Sequence, residues 1–290
     1  MSLVSVVIVH FTKPAQTLAA VEALVQSTQI PLEIIVVDNG ADGGEPLGNA
    51  ERETWNAEQN SAFRIPHSAF KHLPNQTNIG FASANNQGVA AATGDYVLLL
   101  NSDTLIQLGA LQTLVDYLAA HPDVLLLGPK LLNPDGSVQA QGSVLGGRWW
   151  HSKNVCAVNF LTGAAMLLRR NDYLALGGFD ERFVFYNEDV DLCKRIKALG
   201  KQIVYVPSAA VLHLGGGSGS KTNFAIAQGH LGSVYFAQKH YGLVTAWFFR
   251  GLLLLQTALL AMGYALGAKA DLSKSYRQVS KQLWDYDFIK

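Results

Sequence analysis

Val4-Ser5-Val6-Val7-Ile8-Val9-His10, and after an interval Glu33-Ile34-Ile35-Val36-Val37-Asp38-Asn39, decide the fold. Both are short β-branched runs of the kind covered on both faces of a parallel sheet. Between them, Pro14 to Gln26 places Leu18, Val21, Ala23 and Leu24 at helical spacing, so the unit reads strand, helix, strand with a right-handed crossover. Outward from this unit, Tyr96 to Leu100 reads as a further strand. A helix is expected through Leu105, Leu108, Leu111, Leu114 and Leu118, ending at His121-Pro122. Val124 to Leu127, Ala164 to Leu168 and Gln202 to Val206 are three more strand candidates, and Ala209 to Leu212 is strand-like. The Gly40 to Lys71 stretch is polar and irregular, with room for a short helix around Pro46 to Gln59. The expected architecture is an α/β domain reaching about residue 220, a helix over Phe224 to Tyr241, and no internal repeat.

The bulk properties narrow the function classes. The chain has 290 residues, 49% hydrophobic and 15% charged, with zero formal net charge. Such a chain has ample length for a buried core, which argues against disorder, and the balanced charge argues against a nucleic-acid partner. Cys156 and Cys193 lack metal-ligand spacing and read as reduced thiols of a cytosolic protein. Met1 to Val9 has no basic leader region, so a first buried strand is favoured over a signal peptide.

In open α/β sheets, ligands bind outside the carboxyl ends of the strands. Those ends deliver His10-Phe11-Thr12, Asp38-Asn39 and Asn101-Ser102-Asp103. Asp103 could cap a following helix or serve as a hard oxygen ligand for a divalent ion on a diphosphate; Mg²⁺ takes only one or two protein carboxylates beside phosphate oxygens. His213, at the start of Gly215-Gly216-Gly217-Ser218-Gly219, is either a packed residue or a second ligand, suited more to Mn²⁺ than Mg²⁺. Asn78-Ile79-Gly80-Phe81 and Asn85-Asn86 precede a helix expected at Gln87 to Ala92. They offer amides and close backbone approach to a sugar or nucleobase, with loop capping as the equal alternative.

Gly177-Gly178-Phe179-Asp180-Glu181 leads through Tyr186-Asn187 into Glu188-Asp189 and a helix with apolar Val190, Leu192, Ile196 and Leu199. Carboxylates at a helix N-terminus lie at the positive end of its dipole, which favours the ionised form that a general base requires. An acidic first turn that only caps the helix is the competing reading.

Taken together these segments resemble family 2 glycosyltransferases of the GT-A fold. The resemblance rests on Val36-Val37-Asp38-Asn39, Asn78-x-Gly80-Phe81-x-x-x-Asn85-Asn86, Gly94-Asp95 and Leu98-Leu99-Leu100-Asn101-Ser102-Asp103. Gly177-Gly178-Phe179-Asp180-Glu181, Glu188-Asp189-Val190-Asp191-Leu192-Cys193-x-Arg195 and His213 with Gly216 and Ser218 are similar to the rhamnosyltransferase-like branch. The similarity runs from about Ser2 to Ser220.

The resemblance implies a mostly parallel central sheet flanked by helices, and inverting transfer of a sugar from a nucleotide-diphosphate donor to an acceptor hydroxyl. Asp189 would be the base and Glu188 its supporting residue. Asp103 and His213 would hold a divalent cation, Mg²⁺ or Mn²⁺. Phe11, Asp38, Asn39, Asn78, Gly80, Asn85, Asn101 and Ser218 would face the donor. The departures from the family pattern are the metal motif, which reads Asn-Ser-Asp, Gly40-Ala41-Asp42 in place of the usual Ser-x-Asp, and the insertion that follows to Lys71. A catalytically silent nucleotide-sugar-binding module is one rival, opposed by the presence of both Asp103 and Asp189. A nucleotide-dependent oxidoreductase is the other, opposed by the lack of G-x-G-x-x-G after the first strand.

The region 221–290 is expected to be helical, with an apolar membrane-associating helix near 245–268. From Gly251 to Ala268 the only polar side chains are Gln256, Thr257 and Tyr264. That length is near the lower limit of the roughly 17–25 residues of a membrane span. Spanning, interfacial and simply packed helices all fit. Arg250 and the trailing Lys269, Lys274, Arg277, Lys281 and Lys290 favour an anionic membrane surface. The expected setting is the cytoplasm, peripheral at the inner face of the plasma membrane, with a saccharide or lipid-linked saccharide as acceptor. Arg148, Trp149 and Trp150 could form part of an acceptor or membrane-facing surface, or a packed loop.

Overall fold

A computed structural model describes residues 2–48, 69–141, 147–215, 223–267 and 269–288. The chain forms two compact units, Met1–Glu181 with Glu188–Ser218 and Arg182–Asn187 with Gly219–Lys290.

The first unit is built on strands β1 (Val4–His10), β2 (Leu32–Asp38), β3 (Ala69–Pro74), β4 (Tyr96–Asn101), β5 (Thr104–Ile106), β6 (Val124–Leu132), β7 (Cys156–Ala157), β8 (Ala165–Arg169) and β9 (Gln202–His213). Among the described residues they form one mixed sheet in the order β3-β2-β1-β4-β8-β6-β9-β5, with β7 also on β9. β3, β2, β1 and β4 run parallel, β8 is antiparallel to both neighbours, and β6 and β9 are parallel. The unbroken β-branched runs are explained by burial on both faces. Val4, Val6, Ile8, Ile34, Val36, Leu98 and Leu100 join one core, whereas Val7, Ile35, Val37, Val97 and Leu99 join the other. This is the two-residue period of a strand with an apolar layer on each side.

Helices α1 (Pro14–Ser27) and α3 (Ala110–Ala120) contribute Val21, Leu24, Leu111, Leu114 and Leu118 to the first core. Helices α2 (Phe81–Ala91) and α5 (Glu188–Ala198) contribute Ala82, Val89, Leu192 and Ile196 to the second. A short helix α4 (Arg170–Ala175) follows β8. Contact between α2 and β1 is so close that a Cβ on Gly88 would lie 2.4 Å from Val7 Cγ1, so only glycine fits there.

Several expectations are corrected. Thr104 to Ile106 pair antiparallel with β9, and the helix expected from Leu105 begins at Ala110 behind Gly109. Leucines at 105, 108 and 111 mimic a helical row, yet Leu108 is 85% exposed while Ile106 is buried, because the open edge of β9 captures the alternating segment. Asp103 therefore does not cap a helix. The helix expected at Gln87 starts at Phe81, so Asn85 and Asn86 lie on it. The irregular stretch ends earlier than expected, at β3, and most of the Pro46 to Gln59 helix falls outside the described residues. β9 continues unbroken through Pro207 to His213, with an irregular register against Pro129 and Lys130. Trp150 is buried, and its carbonyl accepts the Tyr205 hydroxyl at 2.9 Å, so the packed-loop reading holds for this residue.

The second unit contains α6 (Asn223–Tyr241), α7 (Leu243–Leu266) and α8 (Ala270–Trp284). Its core includes Val234, Ala237, Ala246, Val279, Leu283 and Phe288. α7 and α8 pack along one another. Ser273 Oγ donates to Ala261 O at 2.7 Å, Ser280 Oγ to Thr257 Oγ1 at 2.7 Å, and the Tyr264 and Tyr276 rings stack at 5.6 Å. Arg250 is buried rather than presented to a surface. Its guanidinium lies 4.8 Å from the Trp247 ring and 5.5 Å from Phe288, and donates to Trp284 O.

Candidate active site

Strand register gathers the polar strand ends. His10 pairs with Asp38, Val9 with Asn101 and Asp38 with Pro74, so β1, β2, β3 and β4 release their chemistry at one edge. His10 is fully buried there, its ring held by Thr17 Oγ1 at 2.7 Å and Glu45 O at 2.6 Å. Phe11 O accepts Glu45 N–H at 2.8 Å, which fixes the turn after β1 against residues 44–45. Asp38 accepts Gly40 N–H and Leu47 N–H at 2.9 Å each, and His72 Nε2 lies 3.2 Å away. The carboxylate thus organises the loop after β2 as well as facing the edge.

An amide network continues from it. Asn39 Nδ2 donates to Gly80 O at 3.2 Å, and Asn39 Oδ1 accepts Asn75 Nδ2 at 2.8 Å. Asn78 Oδ1 accepts Gly80 N–H at 3.0 Å, holding the tight entry to α2, where Gly80 adopts φ 87°. Asn85 is buried and its amide bonds Phe81 O. Asn101 differs: its Oδ1 is buried with no hydrogen-bond partner among the described residues. A buried acceptor left open costs about 1–3 kcal/mol, which a bound donor group would recover. Ser218 lies outside the described residues.

Asp103 and His213, 110 positions apart, meet because Thr104 pairs with His213 across β5 and β9. Asp103 Oδ1 and His213 Nε2 are 3.3 Å apart, and the other ring nitrogen, Nδ1, lies 2.7 Å from Gln139 Oε1. One carboxylate and one imidazole nitrogen facing each other form an O/N donor set that fits a divalent ion completed by phosphate oxygens and water. Among the described residues, no group of three His, Cys, Asp or Glu side chains surrounds a metal position. The fit is to an ion shared with a ligand, not to a closed protein cage.

The acidic pair opens α5. The chain enters it through two non-glycine residues in the left-handed region, Tyr186 at φ 71° and Asn187 at φ 74°, a conformation that typically stores strain near functional sites. Asp189 is half-buried; its Oδ2 accepts Gly163 N–H at 2.9 Å and its Oδ1 accepts Val190 N–H at 2.8 Å. Burial pushes its pKa up, and the two N–H donors offset only part of that rise. Glu188 is 5% exposed, and its Oε2 has no hydrogen-bond partner among the described residues. Burial, and secondarily the charge on Asp189, raise the Glu188 pKa well above the usual carboxylate range. Two adjacent acids thus carry elevated proton affinity at one helix start.

The residues that hold the Gly177–Glu181 loop ahead of this pair carry little signal in the sequence. Asn86 Oδ1 accepts Tyr173 OH at 2.6 Å and Phe179 N–H at 2.9 Å, and its Nδ2 donates to Phe179 O and Glu181 Oε1. Gly178, at φ 66°, passes so close that a Cβ would lie 2.4 Å from Asn86 Oδ1. From the other side, fully buried Asp191 holds Arg195 Nε at 2.8 Å, and Arg195 donates to Leu176 O at 2.7 Å and Gly178 O at 2.6 Å. The four-residue spacing of Asp191 and Arg195 on one helix was the available signal.

A family model described as "Glycosyltransferase like family 2" matches residues 2–231. The chain belongs to that family. The glycosyltransferase is 29% identical over 274 residues to the N-acetylglucosaminyl-diphospho-decaprenol L-rhamnosyltransferase of Mycobacterium tuberculosis, covering 81% of this chain and 85% of that protein. It is 28% identical over 230 residues to an O-antigen biosynthesis protein of Myxococcus xanthus, 72% of this chain and 17% of that one. Among solved structures it resembles a mannosyltransferase of Pyrobaculum calidifontis in complex with GDP-Man and Mn²⁺, with TM-score 0.61, 17% identity and coverage of 98% and 88% of the two chains. The glycosyltransferase is thus rhamnosyltransferase-like in sequence and GT-A-type in fold.

Proposed function

We propose that this glycosyltransferase performs an inverting, metal-dependent transfer of a deoxysugar, with a dTDP-rhamnose-type donor as first choice, to a hydroxyl of a lipid-linked saccharide. The observation that carries the reading is Asp189, an acid of raised proton affinity whose orientation is fixed by the Gly163 N–H. In the proposed reaction the acceptor hydroxyl attacks the anomeric carbon from the face opposite the diphosphate. Its proton passes to Asp189, the new C–O bond forms, and the bond to the leaving diphosphate oxygen breaks. Positioned general bases contribute about 10²–10⁴-fold. Glu188 orients the acceptor. Asp103 and His213 would hold a divalent ion, which would supply neutralisation of charge on the leaving diphosphate. Phe11, Asp38, Asn39, Asn78, Gly80 and Asn101 shape the donor side, and Asn85 supports it from within α2.

The similarity to a rhamnosyltransferase named for a decaprenol-linked substrate supports the acceptor class. An interfacial role for the C-terminal helices is part of the same proposal. α7 is the one described helix long and apolar enough to cross a membrane, and only 17% of its most apolar stretch is buried. Val244, Phe248, Leu255, Leu259, Met262 and Leu266 are all more than half exposed. Exposed Lys274, Arg277 and Lys281 lie on α8, which packs along α7. If α7 crossed the bilayer, these cations would enter hydrocarbon at about 2.5–3.5 kcal/mol each, whereas an interfacial hairpin leaves them among anionic headgroups. That geometry favours peripheral attachment to a membrane surface, and the cytoplasmic face is part of the proposal.

A thermal-shift panel of nucleotide-sugars, run with Mn²⁺ and with chelator, tests the donor reading. A deoxysugar nucleotide should raise the melting temperature only with the ion present, because ligands that bind the native state stabilise it. An equal shift in chelator would contradict metal dependence.

A further inference from the structure

The hydrogen bonds behind His213 have a fixed polarity. Asp135, an exposed carboxylate held below its usual range by its bonds from Ser137, can only accept, so Ser137 Oγ–H points to Asp135 Oδ1 at 2.6 Å. Ser137 Oγ must then accept, and it does so from Asn133 Nδ2 at 2.9 Å. This leaves Asn133 Oδ1 as the acceptor for Gln139 Nε2 at 3.0 Å. Gln139 therefore presents its carbonyl, not its NH₂, to His213 Nδ1 at 2.7 Å. Nδ1 therefore carries a hydrogen, and in the neutral ring this leaves the lone pair on Nε2, which lies 3.3 Å from Asp103 Oδ1. A tight turn between β6 and Gln139 builds the relay: Gly136 sits at φ 80°, Asn133 N–H bonds Ser137 O at 2.8 Å, and Leu132 bridges Val138.

We propose that Gln139 is a positioning residue, the end of an Asp135–Ser137–Asn133–Gln139 relay that fixes His213 in the tautomer able to donate Nε2 to a divalent ion. The proposal rests on the metal reading of Asp103 and His213. Groups that orient a ligating histidine typically change metal affinity by about 10–100-fold when removed. Gln139 bonds Asn133 Oδ1 and His213 Nδ1, so it is placed to act through the imidazole. Its effect falls on the ion, and through it on the diphosphate.

The test is Mn²⁺ binding in the presence of inorganic pyrophosphate, followed by the paramagnetic signal of free Mn²⁺, on the full chain. Gln139→Leu should weaken Mn²⁺ binding by at least about tenfold. Gln139→Glu, which still accepts from Nδ1, should restore affinity to within about threefold of the parent. With Mg²⁺ and pyrophosphate, a long-range ¹H–¹⁵N spectrum of the histidine rings should show His213 protonated at Nδ1 in the parent and lose that signature in Gln139→Leu. Parent-like affinity in Gln139→Leu, or equal losses in the Leu and Glu variants, would overturn the relay while leaving the metal reading intact. Absence of Mn²⁺ binding by the parent protein would overturn both.

Discussion

The Glu188 carboxyl is buried where one of its oxygens finds no donor among the described residues. Its folded-state pKa lies above the unfolded value, so the associated stability is present below the unfolded pKa and is lost as pH rises through the folded one. Near neutral pH, Glu188→Gln should therefore raise the melting temperature, by about 2–4 °C for each kcal/mol relieved, while lowering transfer. Calorimetry at pH 5 and pH 8 checks the sign, since the gain should be larger at pH 8. Asp189 has a separate pH consequence. A base must be ionised, and burial raises its pKa, so the acidic limb of the kcat profile should fall at a higher pH than for an ordinary aspartate. A rate–pH profile with its acidic limb at the unperturbed aspartate value would contradict this.

At the scale of elements, α5 and α2 jointly aim the loop Gly177–Glu181. Asn86 on α2 bonds the backbone of Phe179 on both sides, and Arg195 on α5 takes Leu176 O and Gly178 O. Arg195→Leu would leave fully buried Asp191 without its paired cation, a loss of about 3–5 kcal/mol by analogy with other broken buried pairs. Denaturant unfolding should show this loss, and Asp191→Asn combined with Arg195→Leu should recover part of it. How much was legible depends on which interactions are local. β1, β2 and β4 were read from their own residues, because burial on both faces leaves an unbroken apolar run. β3 and β5 were missed, since Ala69–Pro74 and Thr104–Ile106 become strands only through the edges of β2 and β9. The acidic pair and the Asp103–His213 couple were legible through family motifs. The Gln139 relay, and the Asn101 and Glu188 oxygens that find no partner among the described residues, were not, because hydrogen-bond geometry exists only in three dimensions.

For the whole molecule, the second unit presents the exposed apolar row of α7 beside the exposed cations of α8. Arg250, expected to meet a membrane surface, is instead the packed centre of Trp247, Trp284 and Phe288. Attachment should therefore depend on Val244, Phe248 and Leu255 and on Lys274, Arg277 and Lys281, not on Arg250. Sedimentation with vesicles of anionic lipid should lose Phe248→Asp from the bound fraction. The Lys274→Gln, Arg277→Gln, Lys281→Gln variant should bind more weakly, by about 1 kcal/mol per cation at low salt. Unchanged sedimentation of Phe248→Asp would contradict an interfacial hairpin.

The central claim, that Asp189 takes the acceptor proton, is tested most directly by single-turnover transfer in Asp189→Asn with donor affinity measured on the same sample. The expected result is donor binding within about threefold of the parent and transfer reduced by about 10²–10⁴-fold. Transfer at the parental rate, or loss of donor binding in step with transfer, would contradict it.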